Sequence, residues 1–281
     1  MDSNFKKAQA FFFFFTLNYN TNLFKKPRGF GRIEMLYIDN KKVLWMDKKT
    51  LLLWMCILTA LAGVINAISI FGYDSTTVSH VTGLVSKVSI NLAQGNFTGF
   101  WEVLRVILAF FIGAIISGFI TGERAFYLHK RYGFIIITIG VLVIIPYFLP
   151  VEYSVLLFSF IMGLQNGMVV SFRGVVVRMT HMSGNITDLG VYIGYTLRRN
   201  KNEQYIAGII PLFAIISFII GGVIGVLLYS QIHNIIFFIT SGVYIILGGL
   251  YFVLRYRCND KNFNCIKDSE EEKIEAETNE A

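Results

Sequence analysis

The chain has 281 residues, of which 54% are hydrophobic and 15% are charged, and its net charge is +7. A soluble domain carries about 25% charged residues, whereas the segment 51–254 holds only 16 of the 43 Asp, Glu, Lys and Arg residues. So few charges cannot cover a soluble surface. The composition therefore excludes a large soluble enzyme, a disordered chain and a disulfide scaffold, and it predicts an all-α polytopic membrane protein.

Four regions are predicted in chain order. Residues 1–50 are an N-terminal extension that we expect to be disordered or not native, because its run of five Phe residues is too short to span a bilayer. Residues 51–150 and 151–254 are predicted to form two membrane repeats. Residues 255–281 are predicted to form an acidic cytoplasmic tail that stays in solvent.

Transmembrane helices need about 20 mostly apolar residues, and six segments meet or approach that length. Two further apolar stretches, 78–93 and 180–197, each contain a His, a Gly and an ionisable residue. We expect these two to be broken or re-entrant helices that do not cross the bilayer fully. The six predicted spans are 51–73, 105–122, 134–149, 153–172, 205–229 and 233–254.

An internal repeat is visible in the sequence. Residues 62–67 align with 162–167, and both contain a Gly-x-x-Asn pattern. Residues 79–83 align with 180–184, and both read hydroxyl, His, apolar, hydroxyl, Gly. Two further pairs of glycine motifs follow in the same order at a nearly constant offset. Each predicted repeat therefore contains a Gly-x-x-Asn helix, a stretch with the His motif and two more helices.

The distribution of Lys and Arg predicts how the two repeats are related, since these residues collect on the cytoplasmic side. If the stretches 78–93 and 180–197 both return to the side of the bilayer that they left, there are six crossings. Arg105 is then the main exception to the cytoplasmic location of Lys and Arg. If both stretches cross, Arg124, Lys130 and Arg131 fall outside. The six-crossing arrangement has both termini in the cytoplasm and makes the repeat an inverted one, as in many transporters.

Polar residues at membrane depth are costly and usually face a bundle interior or a hydrated path. Lys87 aligns with Asp188 between the repeats, and we expect the two to pair; otherwise each reaches water at an interface. For the histidines and amides the alternative is hydrogen bonding between packed helices. The predicted substrate or ion pathway consists of His80, Thr82, Gly83, Lys87, His181, Ser183, Gly184, Asn185, Asp188, Asn66 and Asn166.

Small residues are predicted to have two roles. Gly83 and Gly184 each follow a hydroxyl residue and are predicted to mark a break in a helix. Other small residues recur at spacings of four or five and predict faces where helices pack closely. These are Gly113, Ser117, Gly118, Gly122, Ser217, Gly221 and Gly225.

Several kinds of chemistry are not indicated. The sequence lacks a Walker A motif, an H-E-x-x-H motif and a G-x-S-x-G motif. It has no His or Cys cluster with metal-ligand spacing, and no basic stripe interleaved with aromatics for nucleic acid. We therefore expect no cofactor, no metal, no nucleic-acid partner and no enzymatic activity. The expected partners are the lipid bilayer and an unidentified small solute, and a homo-oligomer is left open.

The repeated motifs resemble those of the YoaK family, a group of uncharacterised multi-pass membrane proteins often described as transporters of small molecules. The resemblance rests on residues 62–67, 79–83, 162–167 and 180–188. The chain departs from that family at Asn66, where the family often has Asp. The resemblance implies a membrane location and a shared fold over about residues 50–255, and it supplies no substrate.

The predicted function is that of a secondary transporter or permease for a small solute in the cell membrane. One alternative is a non-catalytic membrane scaffold or regulator that uses the acidic tail as its partner site. A less favoured alternative is an intramembrane enzyme acting on a lipid, with His181 and Asp188 as an acid and base pair.

Overall fold

A computed structural model describes residues 48–73, 77–122, 130–168, 171–172, 175–176, 179–198 and 205–256. All of them belong to the single compact unit Val43–Ala281. The predictions for the N-terminal extension and for most of the acidic tail lie outside these residues.

The described chain is helical apart from one short antiparallel hairpin. The elements are α1 (Lys48–Gly72), α2 (Val81–Ala93), α3 (Phe97–Thr121), α4 (Lys130–Ile144), α5 (Val151–Met168), β1 (Ser171–Phe172), β2 (Val175–Val176), α6 (Met182–Leu197), α7 (Tyr205–Ile232) and α8 (236–256). A 3-10 turn, Ile145–Tyr147, extends α4, and a second, His233–Ile235, separates α7 from α8.

Within the described residues, four stretches are long and apolar enough to cross a bilayer: Leu52–Gly72, Phe97–Thr121, Lys130–Tyr147 and Gly208–Tyr256. Only 17% of the most apolar window of Phe97–Thr121 is buried within the protein, and a helix so apolar and so uncovered needs lipid around it. The fourth stretch has 49 residues and contains α7, the turn at 233–235 and α8. The chain is therefore an integral membrane protein.

The helix bounds differ from the predicted spans in two informative places. Helix α3 begins at Phe97 rather than at 105, because Asn96 caps it by accepting a hydrogen bond from Gly99 N–H at 3.0 Å. Helix α5 ends at Met168 rather than continuing to 172, and the chain then forms the β1–β2 hairpin. The predicted span 153–172 was thus too long, since apolar composition does not distinguish a helix end from a short strand.

Glycines bring the first helix of each half against the third helix of the other half. A Cβ at Gly63 would overlap the Phe218 carbonyl oxygen, and Gly72 lies against Tyr229 further along, so α1 and α7 run parallel. In the same way a Cβ at Gly113 would overlap the Phe160 carbonyl oxygen. Contacts at these small residues let the backbones approach closely, which is how membrane helices often associate.

Helices α3 and α5 also run parallel, because Gly167 lies against Ser117 just as Gly113 lies against Phe160. Of the small residues predicted to pack, Gly113 and Ser117 are buried in this contact. Gly221 and Gly225 are the corresponding contacts of α7 with α1. Gly118 faces open space and Gly122 caps α3 with φ 75°, so the packing prediction is wrong for these two.

The remaining contacts fix the other directions. The Tyr73 ring lies 5.4 Å from the Phe158 ring, and Leu58, which comes earlier in α1, contacts Gln165, which comes later in α5, so α1 and α5 are antiparallel. The Trp54 and Tyr251 rings lie 5.8 Å apart, whereas Tyr73 contacts Phe237, so α1 and α8 are antiparallel as well. Helices α1 and α7 therefore run in one direction, and α5 and α8 run in the opposite direction. Helix α3 runs with α5, because the two are parallel.

Helix α4 is antiparallel to α8, because Gly133 lies against Phe252 and Gly140 against Ile245. Helices α1, α4 and α7 therefore share one direction, while α5 and α8 have the other, as does α3 through its parallel contact with α5. Lys87 and Arg105 lie within α2 and α3, whereas the end of the bundle formed by the starts of α1 and α4 and the end of α8 carries Lys48, Lys49, Lys130, Arg131 and Arg255. We call this the basic end.

Candidate functional site

The chain after α1 folds back along that helix before α2 begins, and we call its described residues 77–80 the tip of the first hairpin. Ser79 donates from its hydroxyl (2.8 Å) and from its backbone N–H (3.3 Å) to the side-chain oxygen of Asn66. Asn66 lies six residues before the end of α1, which is about 9 Å along a helix. The hairpin therefore enters the bundle from the end opposite the basic end.

The tip of this hairpin reaches the middle of the bundle. The hydroxyl of Ser159 donates to the Val106 carbonyl oxygen at 2.8 Å and to the Val78 carbonyl oxygen at 3.4 Å. Ser159 is near the centre of α5, and both Ser159 and Val78 are fully buried. A side chain of the second half of the protein thus holds the backbone of the first hairpin.

A second hairpin precedes α6, and its described tip is residues 179–181. It enters from the basic end and has a matching anchor. Thr180 N–H donates to the side-chain oxygen of Asn166 at 3.3 Å, and the Asn166 amide donates to the Thr180 hydroxyl. Met179 and Thr180 are buried. Asn66 and Asn166, predicted from their repeated motif, therefore make equivalent contacts to the residue before each His.

A fully buried amide joins the two halves at the centre. The Gln165 amide donates to the Leu58 carbonyl oxygen at 2.7 Å and to the Met179 sulfur at 3.6 Å. Its oxygen accepts from the Tyr244 hydroxyl at 2.8 Å. Gln165 thus links α5 to α1, to α8 and to the tip of the second hairpin.

Each hairpin ends in a helix N-terminus. His80 is the N-cap of α2 and His181 is the N-cap of α6, with closely similar dihedral angles (φ −93°, ψ 67° and φ −85°, ψ 70°). Neither side chain makes a capping hydrogen bond. The first N–H groups of a helix have no partner within it and carry a partial positive charge, so each tip presents polar backbone near the bundle centre.

Gly83 and Gly184 do not mark the helix breaks, so that prediction is wrong. Both lie inside the first turn of their helices, and the breaks are in the hairpins before them. The imidazole of His80 folds over Gly83, where a Cβ would lie 2.6 Å from its Nδ1. At position 83, glycine makes room for the histidine ring rather than allowing an unusual backbone.

The remaining predicted pathway residues lie on α2 and α6, which pack against α3 and α7 respectively. Thr82, Lys87, Ser183 and Asp188 are exposed, whereas Asn185 is buried. Lys87 and Asp188 make no ion pair with each other, so the expected pair is not formed. Their helices start at opposite hairpins, and this keeps the two charges at different levels of the bundle.

Aromatic side chains fill the bundle between the first hairpin and the end opposite the basic end. The Tyr73 ring packs edge-on against Phe158 and lies 6.1 Å from Phe237, and its hydroxyl donates to the side-chain oxygen of Asn234 at 3.1 Å. Tyr73 therefore links the end of α1 to the turn between α7 and α8.

Within the described ranges, no group of three or more His, Cys, Asp and Glu side chains is arranged to hold a metal ion. His181 and Asp188 lie at the start and in the second turn of α6, seven residues apart, which corresponds to about 10 Å along the axis. That separation is too long for direct proton transfer between the two side chains.

Sequence reasoning did not include Ser159, Gln165, Tyr73 or Tyr244 in the pathway. Ser159 had a usable signal, because Thr59 stands 100 residues earlier in the same register as the Gly-x-x-Asn motif. Gln165 aligns with Ile65, so the repeat gave it no support. Tyr73 carried no signal, because an aromatic residue near a helix end is common at membrane interfaces, and Tyr244 lies inside α8 outside the repeated motifs.

Comparison with known proteins adds a family and no function. No curated protein matches the chain, and no solved structure matches it. Residues 54–250 match the sequence model of a family described as proteins of unknown function, DUF1275. The match covers α1 through most of α8, including both hairpins and their anchors, while the resemblance to the YoaK family stays a prediction. The chain therefore belongs to the DUF1275 family of uncharacterised proteins.

Proposed function

We propose that the protein is a secondary transporter or permease for a small polar solute, built from two inverted repeats with six membrane crossings and two re-entrant hairpins. In this proposal, α1, α3, α4, α5, α7 and α8 cross the bilayer. Helices α2 and α6, with 13 and 16 residues, do not, because a crossing needs about 20.

The helix directions support the inverted repeat. Helix α1 is antiparallel to its sequence counterpart α5, α3 is antiparallel to α7, and α4 is antiparallel to α8. The basic end then faces the cytoplasm by the positive-inside rule, with Lys48 and Arg255 near the two termini of the described chain. The opposite end is poor in Lys and Arg, and Arg105 remains the exception.

The observation that carries the proposal is the pair of hairpin tips. They enter from opposite ends, they reach the bundle centre, and each leads directly into a helix N-terminus. Transporters with inverted repeats bind substrate at such discontinuous helices near the bilayer midplane, where free backbone groups contact the solute. Irregular backbone at this depth persists only where it lines a cavity or is buried in protein.

The alternatives are supported by fewer features. An intramembrane enzyme would have to use His181 and Asp188, and both side chains are exposed and lie two helical turns apart on α6. A scaffold would not need two matching asparagine anchors, of which Asn66 is buried and Asn166 is partly buried. Its expected partner site, the acidic tail, lies outside the described residues.

The proposal is tested with purified protein in two steps. A panel of small organic acids, amines, sugars and nucleobases is first screened for compounds that raise the melting temperature, as a ligand of the folded state must. Each hit is then offered to proteoliposomes under proton and sodium gradients. We expect concentrative uptake that is absent in empty liposomes and reduced in Asn166→Ala. Product formation without a gradient, or binding without uptake, would contradict transport.

A further inference from the structure

Within the described residues, the hydroxyl of Thr59 on α1 is buried without a hydrogen-bond partner, whereas the hydroxyl of the aligned Ser159 on α5 contacts two carbonyl oxygens. The Thr59 side chain on α1 is fully buried, and in the described part of the chain its hydroxyl is unpaired. Ser159, 100 residues later on α5, donates to Val106 and Val78. Native proteins pair nearly all buried polar side chains, so an exception asks for a reason.

The surroundings of the two hydroxyls correspond. Val78, which Ser159 holds, is the residue before Ser79, and Met179 is the residue before Thr180 in the aligned motif. The Gln165 amide donates both to the Met179 sulfur and to the carbonyl oxygen of Leu58, the residue before Thr59. Through Gln165, the turn of α1 that carries Thr59 is thus linked to the second hairpin, and among the described contacts the bond from Ser159 to Val78 has no counterpart at Thr59.

A threonine in a helix can also donate to a carbonyl one turn earlier in its own helix. Thr121 does so, with its hydroxyl 2.9 Å from the Ser117 carbonyl oxygen. Thr59 does not use this alternative. Its hydroxyl is thus kept in the core at a cost, although a valine of the same shape would fill the space without one.

We propose that Thr59 is a positioning residue for the second hairpin, and that it donates to the Met179 carbonyl oxygen in a second conformation in which Ser159 has released Val78. This rests on the proposed function, since the two halves of an inverted repeat can exchange their conformations. In the conformation described here, Ser159 holds the first hairpin at Val78 (the seated hairpin), and Thr59 does not yet bond the described tip of the second hairpin. The two hydroxyls act alternately, one on each hairpin.

The test uses Val78→Cys in full-length protein whose native cysteines Cys56, Cys258 and Cys265 are replaced by Ser. The protein is reconstituted in liposomes and labelled with a membrane-impermeant maleimide added at the end opposite the basic end. Val78 is buried in the seated hairpin, so labelling reports the second conformation. No solute is required for this measurement.

We expect Ser159→Ala to speed labelling and Thr59→Val to slow it, each by about threefold to tenfold, the range that one net hydrogen bond supplies. Thr59→Val should also raise the melting temperature, because it removes an unpaired hydroxyl from the conformation seen here. Unchanged or faster labelling of Thr59→Val would overturn the proposal. If Ser159→Ala fails to fold, Thr59→Val decides alone.

Ser241→Ala is the matched control, because it removes another buried hydroxyl without a partner in the described chain, on α8. It should leave the labelling rate of Val78→Cys unchanged. An equal slowing in Ser241→Ala would mean that general rigidity is responsible, and the specific role of Thr59 would be rejected. Absence of solute uptake by the unsubstituted protein, with intact alternation in the labelling assay, would instead reject the transport proposal and keep the positioning role.

Discussion

Removal of the Gln165 side chain from the bundle centre tests whether the two halves are joined by a polar link. In Gln165→Leu, a side chain of similar size replaces the amide. The Tyr244 hydroxyl, which is fully buried, then has lost its acceptor at 2.8 Å. The Leu58 carbonyl oxygen loses its side-chain donor at 2.7 Å.

The expected cost follows from these two losses. An unpaired buried group costs about 1–3 kcal/mol, while hydrogen bonds between membrane helices average about 0.6 kcal/mol and reach about 1.7 kcal/mol. Both bonds are short and fully buried, so we expect values towards the upper end. We predict that Gln165→Leu lowers the free energy of unfolding by about 2 kcal/mol and Tyr244→Phe by about 1 kcal/mol.

The two residues contact each other directly, so their effects should not add. The double variant is expected to be more stable than the sum of the singles predicts, by about 1 kcal/mol, because each single leaves one partner unsatisfied and the double leaves neither. Unfolding in mixed micelles with increasing denaturant gives the free energies. Tyr153→Phe is the control, because this α5 tyrosine is exposed. Additive effects of the two substitutions would refute the link. So would a change in the free energy of unfolding of Gln165→Leu within about 0.5 kcal/mol, which is the size expected of an ordinary surface substitution.

Gly163→Ala should destabilise the protein by about 1–3 kcal/mol in the same assay, because the added Cβ would overlap the Phe110 carbonyl oxygen. Gly118→Ala is the control and should be neutral or stabilising, because Gly118 has open space around it. Equal costs for the two would contradict the close packing of α3 and α5. Asn66→Ala should destabilise by about 1–2 kcal/mol and reduce solute uptake, since Ser79 loses the acceptor of two hydrogen bonds; unchanged unfolding would contradict the anchoring of the first hairpin.

Much of the helical architecture could be predicted from apolar length and from the repeated motifs. The Gly-x-x-Asn pattern marked Gly63 and Asn66, and in the structure Gly63 serves a close crossing with α7 while Asn66 anchors the first hairpin. The membrane environment was also predictable, since few soluble surfaces are so poor in charge.

Other features depend on contacts between distant residues. The spacing of Lys87 and Asp188 suggested a pair, yet spacing within a motif does not reveal that α2 and α6 start at opposite hairpins. The link from Gln165 to Tyr244 joins residues 79 apart, and neither position is marked by the repeat. Helix ends were misjudged for a similar reason, because the Asn96 cap and the hairpin after Met168 leave little trace in hydropathy.

The central claim, that the repeats are inverted and the hairpins do not cross, is tested most directly at Gln94, the exposed residue between α2 and α3. Gln94→Cys is introduced into protein without native cysteines and treated in intact cells with a membrane-impermeant maleimide. Six crossings predict labelling from outside, while Arg198→Cys, at the end of α6, should react only after permeabilisation. Labelling of Gln94→Cys only after permeabilisation would mean that 78–93 crosses the membrane, and the inverted arrangement would be wrong.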